Sequence, residues 1–337
     1  MKVSIKKIDR VLLLGGGSLL ISLAKWCKSE GIPISVITSP RHSKEYLYHD
    51  STLNDELQNL TLPYLITKSI DSDEVKNFLG DLSNTFCLSL GAPWIFEKEI
   101  ISEVFKNKLF NTHGSRLPQN RGGGGFSWQI MMGSRLGFCQ LHIVDAGIDT
   151  GDLVKTEEFL YPANCRIPED YEKLYFAKNL EFLIDFIRKI RKNDIIIETT
   201  KQTEYFSSYW PRLSTPENGW IDWAEDLISL DRFICAFDSP YEGCKTFINS
   251  KKVFIKSVIP EFGDNNFHIF QSGIIYRKNI NWLMVAAKGG SLIIQEVLDQ
   301  SGKNIIKDIH IGDRFVTPRK NIDARNKRVV YTPDGKK

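Results

Sequence analysis

An α/β domain with a mostly parallel sheet and helices on both faces, followed by a small β-barrel-like domain, is the fold class that this 337-residue chain predicts. Three observations carry that expectation. The first half alternates short apolar runs with stretches of helical period, which implies right-handed crossovers and a parallel sheet buried on both faces. The last third holds five short β-type runs with turn signals between them, a pattern suited to a small barrel or sandwich. The composition, 42% apolar, 25% charged and 11% aromatic, is that of an ordinary globular protein and excludes collagen-like, disordered and disulfide-scaffold classes.

Element by element, residues 11–14 form a fully apolar run ending in Gly15, Gly16 and Gly17. Leu19, Leu20, Leu23, Trp26 and Cys27 follow at helical spacing as far as Gly31, so strand, glycine turn and helix are expected. Strands are predicted at 34–37, 64–66, 85–90 and 109–111, with helices at 73–79 and 98–105. A helix at 127–132, strands at 138–144 and 153–160, and a long amphipathic helix over 169–192 with Leu174, Phe176, Leu180, Leu183, Ile184, Ile187 and Ile190 on its stripe complete the first domain. Turn chemistry such as Ser214-Thr215-Pro216-Glu217-Asn218-Gly219 marks a linker. A helix at 225–236 and strands at 245–248, 253–258, 273–276, 282–286 and 292–297 make up the second domain. The expected division is 1–195 for the first domain, 196–220 for the linker, 221–318 for the β-rich domain and 319–337 for a basic tail.

The formal net charge of +3 is too balanced to announce a nucleic-acid binder, but it is unevenly spread. The last nineteen residues hold seven basic and two acidic side chains, leaving −2 on the preceding 318. A solvated, partly disordered tail is the reading of that segment, and contact with a polyanion the alternative. Six cysteines without a Cys-x-x-Cys pair exclude the usual metal and redox spacings, and Cys87 and Cys139 sit in apolar runs as small core residues of a reduced protein. Lys6, Lys7 and Arg10 before an apolar run imitate a signal peptide, but three glycines interrupt it, and a cytoplasmic protein without a membrane span is expected.

Gly15 and Gly17 match only part of a dinucleotide fingerprint, because Leu20 stands at the third glycine; a tight turn requiring positive φ and an anion-binding helix N-terminus both stay open. More informative is the run from Asn111 to Gly125. On a strand, Asn111 and His113 project to one face, from the carboxyl end where open α/β sheets place their sites. The glycines from Gly122 to Gly125 let backbone approach a ligand, or form a flexible loop. About 30 residues on, residues 145–152 put acidic side chains and glycines in a tight loop after an apolar strand. An imidazole, a carboxylate and a side-chain amide converging on one cleft supply a base, a group to orient and charge it, and a donor for an oxyanion. His142 lies on the strand and reads as a packing residue. His42, His49, His268 and His310 read as surface or loop residues.

Asn111-x-His113-x-Ser115-x-Leu117-Pro118 with Arg121-Gly122, then Asp145-x-Gly147-x-Asp149-Thr150-Gly151-Asp152, resembles the signature of the 10-formyltetrahydrofolate-dependent formyltransferases. Arg212-Leu213-Ser214, Ile221-Asp222-Trp223 and Phe233-x-x-Ala236-Phe237 are similar to the start of the C-terminal domain of the methionyl-tRNA members. The resemblance implies a Rossmann-like catalytic domain, a C-terminal barrel of the oligonucleotide-binding type, 10-formyltetrahydrofolate as formyl donor and no metal. It implies Asn111 as oxyanion donor, His113 as general base or as the group that stabilises the tetrahedral intermediate, and Asp149 as the group that orients and charges the histidine. It further implies Trp94, Ile95, Phe96 and Asp145 around the pterin, and Arg121, Gly122 and Gly123 toward the acceptor.

Three acceptors compete under that resemblance. A nucleotide-linked amino sugar, in surface glycan or lipopolysaccharide synthesis, is favoured by the Gly114-Ser115-Arg116 and Gly122–Gly125 departures from the usual motif, which imply a reshaped acceptor side. Methionyl-tRNA is favoured by the two-domain layout, the basic tail and the cluster Arg188, Lys189, Arg191, Lys192 near the domain junction. Against it stand near-neutral charge and a short, glycine-free loop at residues 38–46, because tRNA affinity rests largely on phosphate neutralisation. Glycinamide ribonucleotide ordinarily goes with a single-domain enzyme. From another class, a non-catalytic binding module on the same fold is the alternative. The partner implied is a small nucleotide sugar, with tRNA second, no membrane, and a homodimer compatible with the reading.

Overall fold

The structure, a computed structural model, describes residues 2–47, 51–263 and 266–337, so His49 lies outside the described residues. In chain order the first domain comprises β1 (Lys2–Ile5), β2 (Arg10–Gly15), α1 (Ser18–Ser29), β3 (Ile34–Thr38), α2 (Pro40–Ser43), α3 (Leu53–Asn59), β4 (Tyr64–Ile66), α4 (Asp73–Leu79) and β5 (Thr85–Leu90). After a π-helical turn at Ile100–Val104, where an α-helix is predicted, come β6 (Leu109–His113), β7 (Arg121–Gly122), α5 (Gly125–Met132), β8 (Leu136–Ile143), β9 (Leu153–Leu160), α6 (Pro168–Lys192) and β10 (Ile195–Glu198). Seven strands form one sheet in the order β4-β3-β2-β5-β6-β8-β9. From β4 to β6 neighbours are parallel, and β8 and β9 add antiparallel. Val11 to Leu14 are fully buried, as central strands covered on both faces must be. Helix α6 turns further than its apolar stripe suggests: Tyr175, Phe182 and Phe186 face the core, while Phe176, Leu180 and Ile184 are only partly buried. The cause is Asn179, fully buried, whose amide donates to Thr112 on β6 at 2.9 Å and to the Tyr175 hydroxyl at 2.8 Å. A satisfied polar pair thus sets the helix rotation, and an apolar stripe cannot register that constraint.

The remainder comprises β11 (Tyr209–Trp210), α7 (Thr215–Asn218), α8 (Leu227–Ala236), β12 (Cys244–Ile248), β13 (Lys251–Glu261), β14 (Ile275–Lys278), β15 (Leu283–Ala287), β16 (Gly290–Leu298), β17 (Phe315–Val316), α9 (Arg319–Ala324), β18 (Tyr331–Thr332) and β19 (Gly335–Lys336). The antiparallel sheet β14-β15-β16-β13-β12-β17 curls until its edges meet at an Ile274–Arg314 bridge, with Ile275 N–H donating to the Asp313 carbonyl at 2.9 Å. A closed edge cannot recruit further strands, and the predicted barrel-like domain is present. Its core is continuous with Ile130, Tyr161 and Tyr171 of the first domain, so the two domains share one apolar interface.

Two segments differ from the sequence reading. The predicted linker is anchored, β10 pairing antiparallel with β1 and β11 parallel with β7. The tail is also ordered onto the body rather than solvated. The Asn218 amide donates to the carbonyls of Arg325 at 2.6 Å and Lys327 at 3.1 Å, Lys336 pairs with Glu217 at 2.7 Å, and Val329 is buried. The basic cluster 188–192 lies not at the domain junction but beside the amino ends of the strands, where Ile190 O accepts from Ile8 N at 3.1 Å and Arg188 pairs with Glu30 at 3.3 Å. Among the described residues no helix is long and apolar enough to cross a membrane.

Candidate active site

The carboxyl end of β6 delivers Asn111 and His113 to one face. Register brings His142 of the antiparallel β8 directly opposite Asn111. The loop that follows β8 then returns Asp149 toward both. Asp149 takes a left-handed backbone, φ 53°, which few side chains other than Asn and Asp adopt and which is held here by its surroundings. Its Oδ2 lies 3.8 Å from His113 Nδ1 and accepts the Gly122 N–H at 3.0 Å; its Oδ1 lies 3.6 Å from His142 Nε2 and 3.5 Å from Asn111 Nδ2. Burial would raise this carboxyl, but the charge of His113, then the hydrogen bond and charge of His142 and the Gly122 amide, outweigh it and hold Asp149 well below the usual carboxylate range. Asp149 is therefore ionised at any working pH.

Hydrogen bonding sets the tautomers. His142 is 2% exposed, and its Nδ1 lies 2.9 Å from the Ile143 carbonyl, which only accepts; Nε2 is left to accept from Asn111 Nδ2 at 3.0 Å. His113 Nε2 faces the Asn120 carbonyl at 2.7 Å and the Ser115 hydroxyl at 2.9 Å, so the neutral ring carries its proton there and Nδ1 is the atom able to take another. His142, expected as a packing residue, is indeed buried and satisfied, yet it belongs to the site: it aims the Asn111 amide.

These groups floor a cleft of about 420 Å³. One wall is the segment after β5, with Gly91 at φ 63°, and the other is the 144–149 loop. Ile95 is 76% exposed and faces the cleft. Trp94 and Phe96 each show an edge to it but are mostly core, Trp94 donating to the Lys68 carbonyl at 3.1 Å and Phe96 meeting Phe105 edge-on. Asp145 is exposed at the rim, accepting from Gly147 N–H and Thr150. Gly122 and Gly123 border the cleft, and glycine is required at 122: with φ at 99°, a Cβ there would stand 2.3 Å from the Trp210 carbonyl.

Arg121, expected toward the acceptor, does not line the cleft. Its guanidinium is buried, with Nε on Gln202 at 3.1 Å and Nη1 on Glu204 at 2.7 Å, because pairing of β7 with β11 brings the 202–210 segment across it. Gln202 in turn donates to the carbonyls of Asp149 at 2.9 Å and Gly151 at 2.7 Å. Arg121 is a positioning residue that holds the Asp149 loop through Gln202. No local pattern marks Gln202, whose partners lie more than fifty residues away in the chain. His42 is buried rather than superficial. Its ring covers Gly16, where a Cβ would come within 2.7 Å of it, so a pyrophosphate could not approach that turn as in dinucleotide-binding folds. His268 and His310 are exposed, as expected. Among the described residues no group of three metal-ligating side chains occurs.

Residues 213–310 match the family model described as formyl transferase, C-terminal domain. Over 293 residues, 86% of this chain and 87% of the relative, the sequence is 27% identical to the methionyl-tRNA formyltransferase of Rickettsia bellii. Among solved structures, WlaRD, a sugar 3N-formyl transferase determined in the presence of dTDP and 5-N-formyl-THF, superposes with a TM-score of 0.66 at 19% identity, over 86% of this chain and 97% of that one. The N-formyltransferase from Helicobacter canadensis, in complex with folinic acid and dTDP-3-aminofucose, gives 0.64 at 20% identity, over 86% and 99%. At these identities the likeness to the solved structures is one of fold.

Proposed function

We propose that the chain is a formyltransferase and that it moves the formyl group of 10-formyltetrahydrofolate onto the amino group of a nucleotide-linked amino sugar, as a cytoplasmic step of surface-glycan synthesis such as that of lipopolysaccharide. The observation that carries the reading is the convergence of Asn111, His113 and Asp149 on the floor of one cleft. The residues fit the donor. Ala92, Pro93, Ile95, Val144 and Ile148 form apolar walls suited to a flat heterocycle, above a polar floor.

The donor supplies an electrophilic formyl carbon; the acceptor nitrogen bonds to it as the bond to the folate nitrogen breaks. His113 Nδ1 takes the proton that the amine releases and returns it to the departing folate nitrogen, and the Asp149 carboxylate 3.8 Å away stabilises the imidazolium in between. Asn111 presents an N–H to the oxygen on which charge develops. Its amide is already oriented by His142, so little reorganisation is needed when that charge appears. Gly122 N–H and Gln202 keep the carboxylate and its loop in place.

For the acceptor, three features support a sugar: a cleft of small-molecule size, a basic cluster 188–192 at the far end of the sheet from the site, and the likeness of fold to two sugar N-formyltransferases. Methionyl-tRNA is the second reading, supported by the R. bellii relative. The test is tetrahydrofolate release from 10-formyltetrahydrofolate with a panel of nucleotide-linked 3-amino and 4-amino sugars against charged methionyl-tRNA. Release is expected only with an amino sugar. Formylation of the tRNA alone, at about 1 s⁻¹ or faster, would overturn the acceptor. Undiminished turnover by both Asn111→Ala and His113→Ala would overturn the assignment of the site.

A further inference from the structure

The catalytic cleft has a neighbour. A second cavity, of about 580 Å³, opens between the glycine run 123–125, the start of α5 and the second domain at Thr215, Phe237 and Tyr241. Both cavities are lined by Gly91, Gly123, Arg212 and Tyr331. The partition is thus a bare backbone edge on one side and, on the other, an arginine from the inter-domain segment against a tyrosine from the C-terminal tail.

That pair is built. The Arg212 guanidinium lies 4.7 Å from the centroid of the Tyr331 ring, and the Arg41 guanidinium lies 5.8 Å from it. The tail is pinned at this place: Arg41 N–H donates to the Pro333 carbonyl at 3.1 Å, Asp334 pairs with Lys68 at 3.0 Å, and Lys336 with Glu217. Arg41 is neutralised by Glu45 at 2.9 Å. Among the described residues, no carboxylate lies within ion-pair distance of Arg212; the Tyr331 ring lies against its guanidinium, and the Glu45 carboxylate that pairs with Arg41 is near enough for the two charges to act on each other. A guanidinium with no ion pair of its own, oriented by an aromatic face on the wall of a small-molecule-sized cavity, suits a phosphate, which it can hold by two parallel hydrogen bonds. Among the residues that line this cavity, Glu242 brings the one carboxylate.

We propose that the second cavity is the acceptor compartment, that Arg212 binds the diphosphate of the nucleotide-linked acceptor, and that Tyr331 is the positioning residue that aims it. The proposal rests on the sugar reading above. The amine then reaches His113 across the glycine edge at Gly91 and Gly123, while the donor enters the catalytic cleft from the Ile95 side. The tail is part of the substrate site, and a chain lacking it would keep its catalytic trio but lose its hold on the acceptor.

Calorimetry with dTDP and UDP, without any folate, tests this on the full-length protein. Arg212→Ala, Tyr331→Ala and a truncation after Lys327, which leaves the Asn218 contacts to Arg325 and Lys327 intact, should each weaken nucleotide binding about tenfold or more, the scale of one charge-assisted contact. Tyr331→Phe should retain it. Folinic acid affinity should stay within about twofold, and with an amino sugar KM should rise while kcat changes little. Unchanged nucleotide affinity in Arg212→Ala, absence of dTDP and UDP binding by the wild type, or equal weakening of folinic acid would overturn the proposal. A wild type that formylates amino sugars with Arg212→Ala unaffected would overturn this inference and leave the function standing. A wild type that formylates only charged tRNA yet binds dTDP through Arg212 would overturn the sugar reading and leave the anion site.

Discussion

Asp149→Asn isolates charge from shape at the centre of the site. The asparagine keeps an oxygen for the Gly122 N–H, 3.0 Å away in the wild type, and the side-chain volume is almost unchanged. What it removes is the negative charge 3.8 Å from His113 Nδ1. At an effective dielectric near 20, opposite unit charges at that separation attract by about 4 kcal/mol, an upper bound equivalent to roughly a thousandfold in rate. Because the attraction exists only once His113 is protonated, it acts on the transition state, and kcat should fall by about 10² to 10³ with the donor KM little changed. Single-turnover release of tetrahydrofolate, with circular dichroism to establish folding, measures it. A loss below about tenfold would refute the idea that the proton arrives at Nδ1 facing the carboxylate. The same substitution has a signature in acid. Asp149 is depressed in the folded protein, so its stabilising contribution is complete above the ordinary carboxylate range near pH 4 and is lost as pH falls below it. Wild type should therefore lose stability more steeply than Asp149→Asn on acidification below about pH 4.

Gly122→Ala forces a Cβ to within 2.3 Å of the Trp210 carbonyl at φ 99°, so β7 and β11 must part; thermal melting should show destabilisation of at least about 2 kcal/mol, with kcat/KM falling because the Asp149 anchor moves. His142→Ala removes the acceptor that aims Asn111, and kcat should drop about 10- to 100-fold while the affinity for folinic acid, read by calorimetry, stays put. Burial, then the charges of Arg41 and Arg212, push the His42 imidazole down from 6.5 to about 3, so the stability it confers is full above pH 6.5 and lost as pH falls toward 3. Denaturant unfolding should show about 2 kcal/mol less stability at pH 5 than at pH 7.5 from this group, and His42→Gln should flatten that interval.

Local periodicity made the sheet, the helices and the barrel strands legible, since each depends on neighbours two to four residues away in the chain. The Asn111 and His113 pair was legible for the same reason: it needs only strand alternation. What escaped the sequence was everything set by pairing over long separations. The role of His142 follows from its register opposite Asn111, 31 positions distant. The family resemblance placed Arg121 toward the acceptor, yet its partners are Gln202 and Glu204, more than eighty residues on. The tail looked like a solvated basic run because its partners, Asn218, Glu217 and Glu225, lie a hundred or more residues upstream.

These long-range ties give the segments outside the sheet a physical role in the chemistry. The side chains proposed for catalysis all come from the first domain, but the backbone of Asp149 is held by Gln202, and the wall of the cleft is completed by Arg212 and Tyr331, on the segments that enter and leave the barrel. The barrel itself shares a core with α5 and α6, and Leu213, at the end of the inter-domain segment, packs against it. A left-handed Asp149 is a strained conformation that persists only when its surroundings over-determine it. Two anchors do so here: the Gly122 amide on the carboxylate, and the Gln202 amide on the carbonyl, itself held by the buried Arg121 behind it. Weakening either should loosen the carboxylate before it unfolds the protein. Damage to the linker should therefore appear first as lost turnover, and only later as a lower melting temperature.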